Sequence, residues 1–424
     1  MKLNLAYGRD GLQIDIPDST DVLEPKHLPG LLNTQEELVK SLRHPIQSKP
    51  LKDLASPECS VAIVHSDITR ATPNHKILPP ILNELHLAGV SRQNITLING
   101  LGTHRQQTEA ETRALLGDNI VDTYRCLQHD TDDKKNLMTI QIESGKEFQI
   151  NRHYLEADIR ILTGLIEPHF FAGFSGGPKS VLPAIAGTGS IHKNHGPAML
   201  CHPNASWGIT AGNPLWEELF KVAKLSKPTF ILNVTLNANH EITGVFSGDL
   251  SEAHSQGCTF VKESVMVKVD HPYDIVLTTN SGYPLDQNLY QSVKGVCAAE
   301  NITKEGGSII IATACADGLP DGGNYAKLLS ESNSTTDLLD RFSQSEHVVQ
   351  EQWQVQKQIN VQQKADVYVF SGGLTNDQIR NALFTPCQNI EDTINELILT
   401  HGAQAKICAL PQGPQTIPYL ELNN

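Results

Sequence analysis

Runs of β-branched and aliphatic residues recur along the chain, each followed by turn residues and then by a stretch with helical spacing. The runs at 61–66, 95–99, 159–165, 230–236, 275–279, 308–313, 367–370 and 405–410 predict strands. The stretches at 76–87, 215–223, 288–300 and 390–399 predict helices between them. This alternation predicts an α/β protein with mainly parallel sheets. Most of the strand runs are continuously apolar, the pattern of strands covered on both faces.

A chain of 424 residues is too long for one ordinary core, so two domains are expected. The break falls at 269–272. Before it, SEAHSQGCTFVKESVMVKV reads as a closing helix; after it, HPYDIVLTTN opens a fresh strand. Residues 1–270 then form an N-terminal cofactor-binding and catalytic domain, and 271–410 a C-terminal α/β domain. The tail 411–424 is expected to pack back onto the first.

Composition narrows the function classes. Hydrophobic residues are 39% and charged residues 19%, as in a soluble globular protein. With 33 basic and 47 acidic residues the net charge is −14, which argues against nucleic acid or an anionic membrane as the main partner. No segment approaches the roughly 20 apolar residues of a membrane span, and the start, MKLNLAYGRDGLQIDIPDS, has no apolar leader core. The eight cysteines include no Cys-x-x-Cys pair, so a thiolate zinc site or disulfide framework is not expected and a reduced cytoplasmic setting is.

Polar residues cluster just after three predicted strands: Ser66-Asp67-Ile68-Thr69-Arg70, Gly102-Thr103-His104-Arg105 and Glu167-Pro168-His169. Ligands bind outside the carboxyl ends of strands in open α/β sheets, so these clusters are expected to converge on one cleft. The third opens the run EPHFFAGFSGGPKSVLP. Its GFSGGPKS segment nearly fits a phosphate loop, but Pro178 stands where the template needs its second glycine. Proline lacks the N–H and fixes φ, and Pro183 follows where a helix is needed, so a nucleoside-triphosphatase loop is disfavoured, and tight ATP binding would revive it. A phosphate-bearing cofactor on the amides around Ser175, Gly176 and Gly177 stays open. A buried Lys179 is a candidate nucleophile, and Phe170, Phe171 and Phe174 suggest an enclosed site. His104, His169 and His195 have no metal-motif spacing; two are candidate acid/base groups and one a metal ligand, with His192 as an alternative ligand. Arg70 is suited to a carboxylate. In the second domain, Tyr290, Gln291 and Lys294 lie together on a predicted helix, where Tyr290 and Lys294 share a face.

These strings, in this order, resemble the nickel-dependent lactate racemase family. They are Ser66-Asp67 with Thr69-Arg70, Thr103-His104-Arg105, His169 through Gly177 with Lys179 to Pro183, Asn194-His195, and Gly282 to Asn288 with Tyr290-Gln291 and Val293-Lys294-Gly295. The resemblance implies two α/β domains with the active site in the cleft between them. It implies a nickel pincer nucleotide, a pyridinium-3-thioamide-5-thiocarboxylic acid mononucleotide tethered to Lys179, with nickel ligated by His195. His104 and His169 would be the acid/base pair. Asp67 and Thr69, with Ser175, Gly176 and Gly177, would bind the cofactor, and Arg70, Tyr290, Gln291 and Lys294 the substrate. The implied activity is racemisation or epimerisation of a 2-hydroxy acid, with a hydride passing from C2 to the cofactor and back through a 2-oxo acid. Proteins that build the cofactor are the implied partners.

Three positions depart from the lactate racemase pattern: Ile68 replaces a histidine, Pro178 an arginine and Ala71 a proline. The loss of two polar groups leaves the reaction class better defined than the particular 2-hydroxy acid or sugar acid. Two other readings of the residues compete: a lyase or aldolase forming a Schiff base on Lys179, and a non-enzymatic nickel or cofactor carrier.

Overall fold

A computed structural model of the chain describes residues 1–26, 28–237, 239–320, 323–332, 334–344 and 348–420. The chain forms two compact units. One comprises His27–His195 and Asn204–Glu263; the other comprises Met1–Lys26, Gly196–Pro203 and Ser264–Asn424.

The first unit is built on a six-stranded sheet ordered Ile242–Gly248, Phe230–Leu236, Ile159–Leu165, Val61–Ser66, Ile95–Gly100, Arg125–Gln128. All neighbours are parallel except the edge strand Ile242–Gly248. Val61–Ser66 and Ile159–Leu165 are buried at nearly every position, which is why they read as unbroken apolar runs. The helix Asn74–Leu87 turns Ile77, Leu78, Ile81, Leu82 and Leu85 toward them, a stripe with the period of one helical face. The chain runs from Val61–Ser66 outward to Ile95–Gly100 and Arg125–Gln128, then returns to add Ile159–Leu165 on the opposite side. That reversal leaves a crevice at the carboxyl ends of the central strands.

The second unit has its own six-stranded parallel sheet, ordered Thr385–Pro386, Ala365–Phe370, Thr303–Ala312, Tyr273–Thr279, Ile407–Leu410, Asp21–Val22. Its core joins Ile275, Leu277 and Ile310 to Ile390, Ile394 and Leu397 of the helix Ile390–His401.

This division differs from a single break near residue 270. Met1–Lys26 belongs to the second unit because the hairpin Lys2–Leu5/Leu12–Asp15 buries Leu3, Leu5 and Ile14 in that core, and Asp21–Val22 pairs with Ile407–Leu410. Gly196–Pro203 belongs there too: Gln356 Nε2 donates to the Pro197 carbonyl at 3.1 Å and to Cys201 Sγ at 2.9 Å. The helix Leu250–Val265 gives way to a strand, Met266–Val269, which pairs in parallel with the tail strand Ile417–Leu420. The tail therefore packs on the second unit; residues 421–424 lie outside the described ones. Among the described residues no helix is long and apolar enough to cross a membrane, and the eight cysteines are free thiols.

Candidate active site

Asp67 follows the strand Val61–Ser66 and is buried. Its Oδ1 accepts from the Thr69 amide (3.2 Å) and the Thr69 hydroxyl (2.7 Å), a local turn that fixes the carboxylate. Its Oδ2 lies 2.7 Å from Nδ1 of His104, which arrives on the turn after Ile95–Gly100. Burial works to raise the Asp67 pKa. The hydrogen bond and charge of His104, the Thr69 hydroxyl and the Arg70 charge outweigh it, and the group is held below the ordinary carboxylate range. An ionised Asp67 requires a proton on Nδ1 of His104, which leaves Nε2 as the accepting nitrogen of the neutral ring. The His104 loop is clamped from behind: the Gln128 side chain accepts from the Gln107 amide at 2.6 Å and donates to the Gln107 carbonyl at 2.7 Å.

The lysine loop follows Ile159–Leu165. A two-residue ribbon pairs Pro168–His169 with Gly173–Phe174, after which Gly176 (φ 74°) and Gly177 (φ 47°) adopt left-handed backbone. One 3₁₀ turn, Gly177–Ser180, carries Lys179, and no helix follows until Thr188–Asn194, so the phosphate-loop geometry is indeed absent. The loop is fastened to the sheet: the Ser175 hydroxyl donates to the Leu165 carbonyl at 2.8 Å, and the Gly177 amide to Oδ1 of buried Asn233 at 2.8 Å. The Ser175 amide donates to the Glu167 carbonyl at 2.9 Å. The Ser175 and Gly177 amides, expected to face a phosphate, are thus engaged with protein acceptors.

Lys179 is 9% exposed, and its Nζ lies 3.3 Å from Nε2 of His169. His169 Nδ1 lies 3.3 Å from the Ala172 amide and 3.5 Å from the Phe171 amide, with Lys179 on the Nε2 side of the ring. The Phe171 ring is edge-on to His169 (4.4 Å) and to His195 (5.1 Å), with Lys179 Nζ 5.4 Å from its centroid. One aromatic ring therefore gathers the two histidines and the lysine. Burial, and after it the Lys179 charge, push the His195 pKa down to about 3, so this imidazole is neutral. The pKa of His192, half-buried one turn earlier, is also lowered by burial, an effect that the Asp132 charge opposes.

Asp67, Thr69, Arg70, His104, Ser175, Gly176 and Lys179 line one cavity of about 110 Å³ at the carboxyl ends of the central strands. His65 lies in its wall, and Arg70 Nη1 bonds the Glu167 carboxylate at 2.7 Å. Gly177, His169 and His195 stand behind this lining. None of the three departures from the family pattern lines the cavity either: Ile68 and Ala71 are exposed and Pro178 is buried in the 3₁₀ turn. Arg105 turns its charge to Glu111 at 2.6 Å. Tyr290, Gln291 and Lys294 belong to the other unit, at the start of the helix Leu289–Glu300, where Lys294 Nζ donates to Gln291 Oε1 at 2.8 Å. Tyr290 accepts a hydrogen bond from Trp353, and burial pushes its pKa up to about 12. Asn233 escaped the sequence reading, and Glu167 belongs to a cluster expected in the cleft but carried no role of its own. An amide side chain in the midst of the largely apolar run FILNVTL is the signal that points to Asn233.

The lactate racemase N-terminal domain profile matches residues 7–208, and the lactate racemase C-terminal domain profile matches residues 268–417. The chain is 34% identical to a lactate racemase of Thermoanaerobacterium thermosaccharolyticum over 98% of both chains. It is 36% identical to a lactate racemase of Lactiplantibacillus plantarum over 90% of both. The structure of the lactate racemase apoprotein from T. thermosaccharolyticum superposes with a TM-score of 0.92 at 33% identity, covering 99% of this chain and 100% of that one. A protein of Thermotoga maritima shares the fold at 18% identity, with a TM-score of 0.66 over 91% of this chain and 98% of its own. With both halves matched and relatives alike over nearly the full length, the chain belongs to the lactate racemase family.

Proposed function

We propose that this protein is a nickel-pincer-nucleotide-dependent racemase or epimerase of 2-hydroxy acids, acting in the cytoplasm after cofactor-building proteins have loaded it. The relatives are lactate racemases, so lactate is the first substrate to test. The observation that carries the reading is the pair of histidines beside one cavity, one backed by a buried carboxylate and the other by a buried lysine. His104, fixed by Asp67, offers an accepting Nε2, whereas His169 is held between two backbone amides and Lys179.

The C2 hydrogen of a 2-hydroxy acid is too weakly acidic for an imidazole to remove as a proton. When bound, the nickel nucleotide would supply the two-electron acceptor that side chains lack. The residues fit such a group. Among the described residues no three His, Cys, Asp or Glu gather as a metal site, but neutral, buried His195 suits a metal that arrives with its own sulfur and carbon donors. Lys179 would hold the nucleotide covalently, with Ser175 and Gly176 beneath it. His104 would take the substrate hydroxyl proton and His169 would return one to the product, with the roles exchanged for the mirror image. Arg70 would hold the substrate carboxylate through charge-assisted hydrogen bonds, and Tyr290, Gln291 and Lys294 are assigned to the same substrate.

The test is to produce the protein together with the cofactor-making enzymes. Intact mass, nickel content and a chiral assay against a panel of 2-hydroxy acids are then measured. An adduct on Lys179 with inversion of at least one acid is expected; no adduct and no nickel would sink the proposal. The placement of Lys179 Nζ beside His169 inside an aromatic wall also suits a Schiff-base lyase. Borohydride trapping with a 2-oxo acid separates that reading. A carrier would keep its cargo after His104→Ala, whereas a racemase loses turnover.

A further inference from the structure

We infer that His254 is a positioning residue for the lysine loop: its ring Nε2–H holds the Ser175 carbonyl from beneath, and its ring face sets the turn at Gly177. None of the motifs that identify the family includes it. It lies on the helix Leu250–Val265, within the same unit as the loop.

Three contacts fix the helix under the loop. His254 Nε2 lies 2.9 Å from the Ser175 carbonyl oxygen. A carbonyl only accepts, so Nε2 carries the ring proton and Nδ1 the lone pair. Cys258, one turn on and on the same helix face, packs Sγ against the ring, 3.5 Å from Nδ1 and 3.7 Å from Nε2. Third, Gly257 brings the helix backbone against the loop's entry, since a Cβ there would stand 2.2 Å from Cδ1 of Ile166.

The ring face acts on Gly177. A Cβ at Gly177 would lie 2.4 Å from His254 Cδ2 and 2.6 Å from Cγ, so the imidazole occupies the space any side chain there would need. Gly177 is also the residue whose amide bonds Asn233 and which opens the 3₁₀ turn carrying Lys179 two residues later. The loop is therefore gripped at successive points: the Ser175 carbonyl by His254, the Gly177 amide by Asn233, and Gly177 Cα by the ring. Burial holds the imidazole neutral, its pKa pushed down to about 4. A hydrocarbon of the same size would fill the space but leave a buried carbonyl without this donor. That difference makes the histidine a positioning group rather than filler.

The functional importance of Lys179 rests on the proposed function, but the positioning claim does not, and it is testable in the apoprotein. His254→Gln and His254→Met are nearly isosteric, and only glutamine keeps a donor where Nε2 stood. Competitive acylation of the apoprotein, read by mass spectrometry at Lys179 and normalised to exposed Lys52, reports the lysine's burial and nucleophilicity over an alkaline pH series. His254→Met is expected to raise Lys179 labelling about fivefold, the effect of losing one ordinary hydrogen bond that keeps the loop closed. His254→Gln should stay near the parent. Equal labelling in all three proteins, or an equal shift in both variants, overturns the inference. If His254→Met gives no cooperative melt, Cys258→Ala decides. It removes the thiol that packs against the ring and should shift Lys179 in the same direction by a smaller factor; no shift overturns the idea. Absence of any cofactor adduct on Lys179, by contrast, would count against the proposed function and leave this result standing.

Discussion

Buried neutral histidines give this protein a specific sensitivity to acid. His65 and His254 are each 2% exposed, and burial pushes both pKa values down to about 4. In the unfolded chain each titrates near 6.5. As pH falls through that value the unfolded state takes up protons that the native state refuses, so stability drops. The loss continues until pH approaches about 4, where the native rings also charge. Each proton contributes a slope of about 1.4 kcal/mol per pH unit, and the two together remove about 4 kcal/mol between pH 7 and pH 5. His129 and, in the apoprotein, His195 act in the same direction. The loss is a large share of the ~5–15 kcal/mol that holds an ordinary domain folded. The assay is urea unfolding of the apoprotein at a series of pH values, followed by tryptophan fluorescence. Trp353→Phe confines the signal to Trp207 and Trp216, which share the unit of these histidines. His65→Gln and His254→Gln should each flatten the dependence by about 1.4 kcal/mol per pH unit. Variants with the parent's slope would show that these rings titrate alike in both states and that the burial argument is wrong.

Three further outcomes follow from the site. Asp67→Asn keeps the shape but removes the charge that fixes the His104 proton; kcat of the loaded enzyme should fall by about 10²-fold or more with little change in KM, measured by chiral chromatography. Gly177→Ala forces a side chain into left-handed backbone and against His254, and should lower stability by about 1–3 kcal/mol in a thermal or urea melt. Glu167→Gln frees the Arg70 fork from its internal carboxylate. KM for a 2-hydroxy acid should fall a few-fold with kcat nearly constant, and an unchanged KM would mean Arg70 does not bind the substrate carboxylate.

Much of the architecture was legible because it is written in local periods. The apolar runs at 61–66, 159–165 and 230–236 coincide with buried parallel strands, and polar residues that follow the runs at 61–66 and 95–99 reach one cavity, whereas Glu167 and His169 are not in its lining. What escaped depends on partners remote in sequence. The hairpin Lys2–Leu5/Leu12–Asp15 alternates as a strand pair should, but nothing local says that it packs on Ile275 and Ile407. The helix Gln352–Lys364 buries Gln352, Gln354, Gln356 and Gln358, so its polarity hides it from any apolar-stripe reading. The Asp67–His104 bond joins two motifs read separately, and it gives Asp67, expected as a cofactor contact, a partner in the His104 ring. His254 stands in a stretch read only as a closing helix, because its partner is a backbone carbonyl that no sequence pattern marks.

The pairing of Asp21–Val22 with Ile407–Leu410 has a consequence for synthesis. The two strands are roughly 385 residues apart, so a ribosome adding about 5–20 residues per second makes the second some 20–80 s after the first. Through that interval the nascent amino-terminal segment, with its apolar hairpin, waits without its sheet. The unit of His27–His195 and Asn204–Glu263 is fully synthesised well before chain release, whereas the other closes only when its last strands emerge. The exposed hairpin is where a chaperone would bind the growing chain, and truncating the carboxyl terminus should strand residues 1–26 in the same unpaired state.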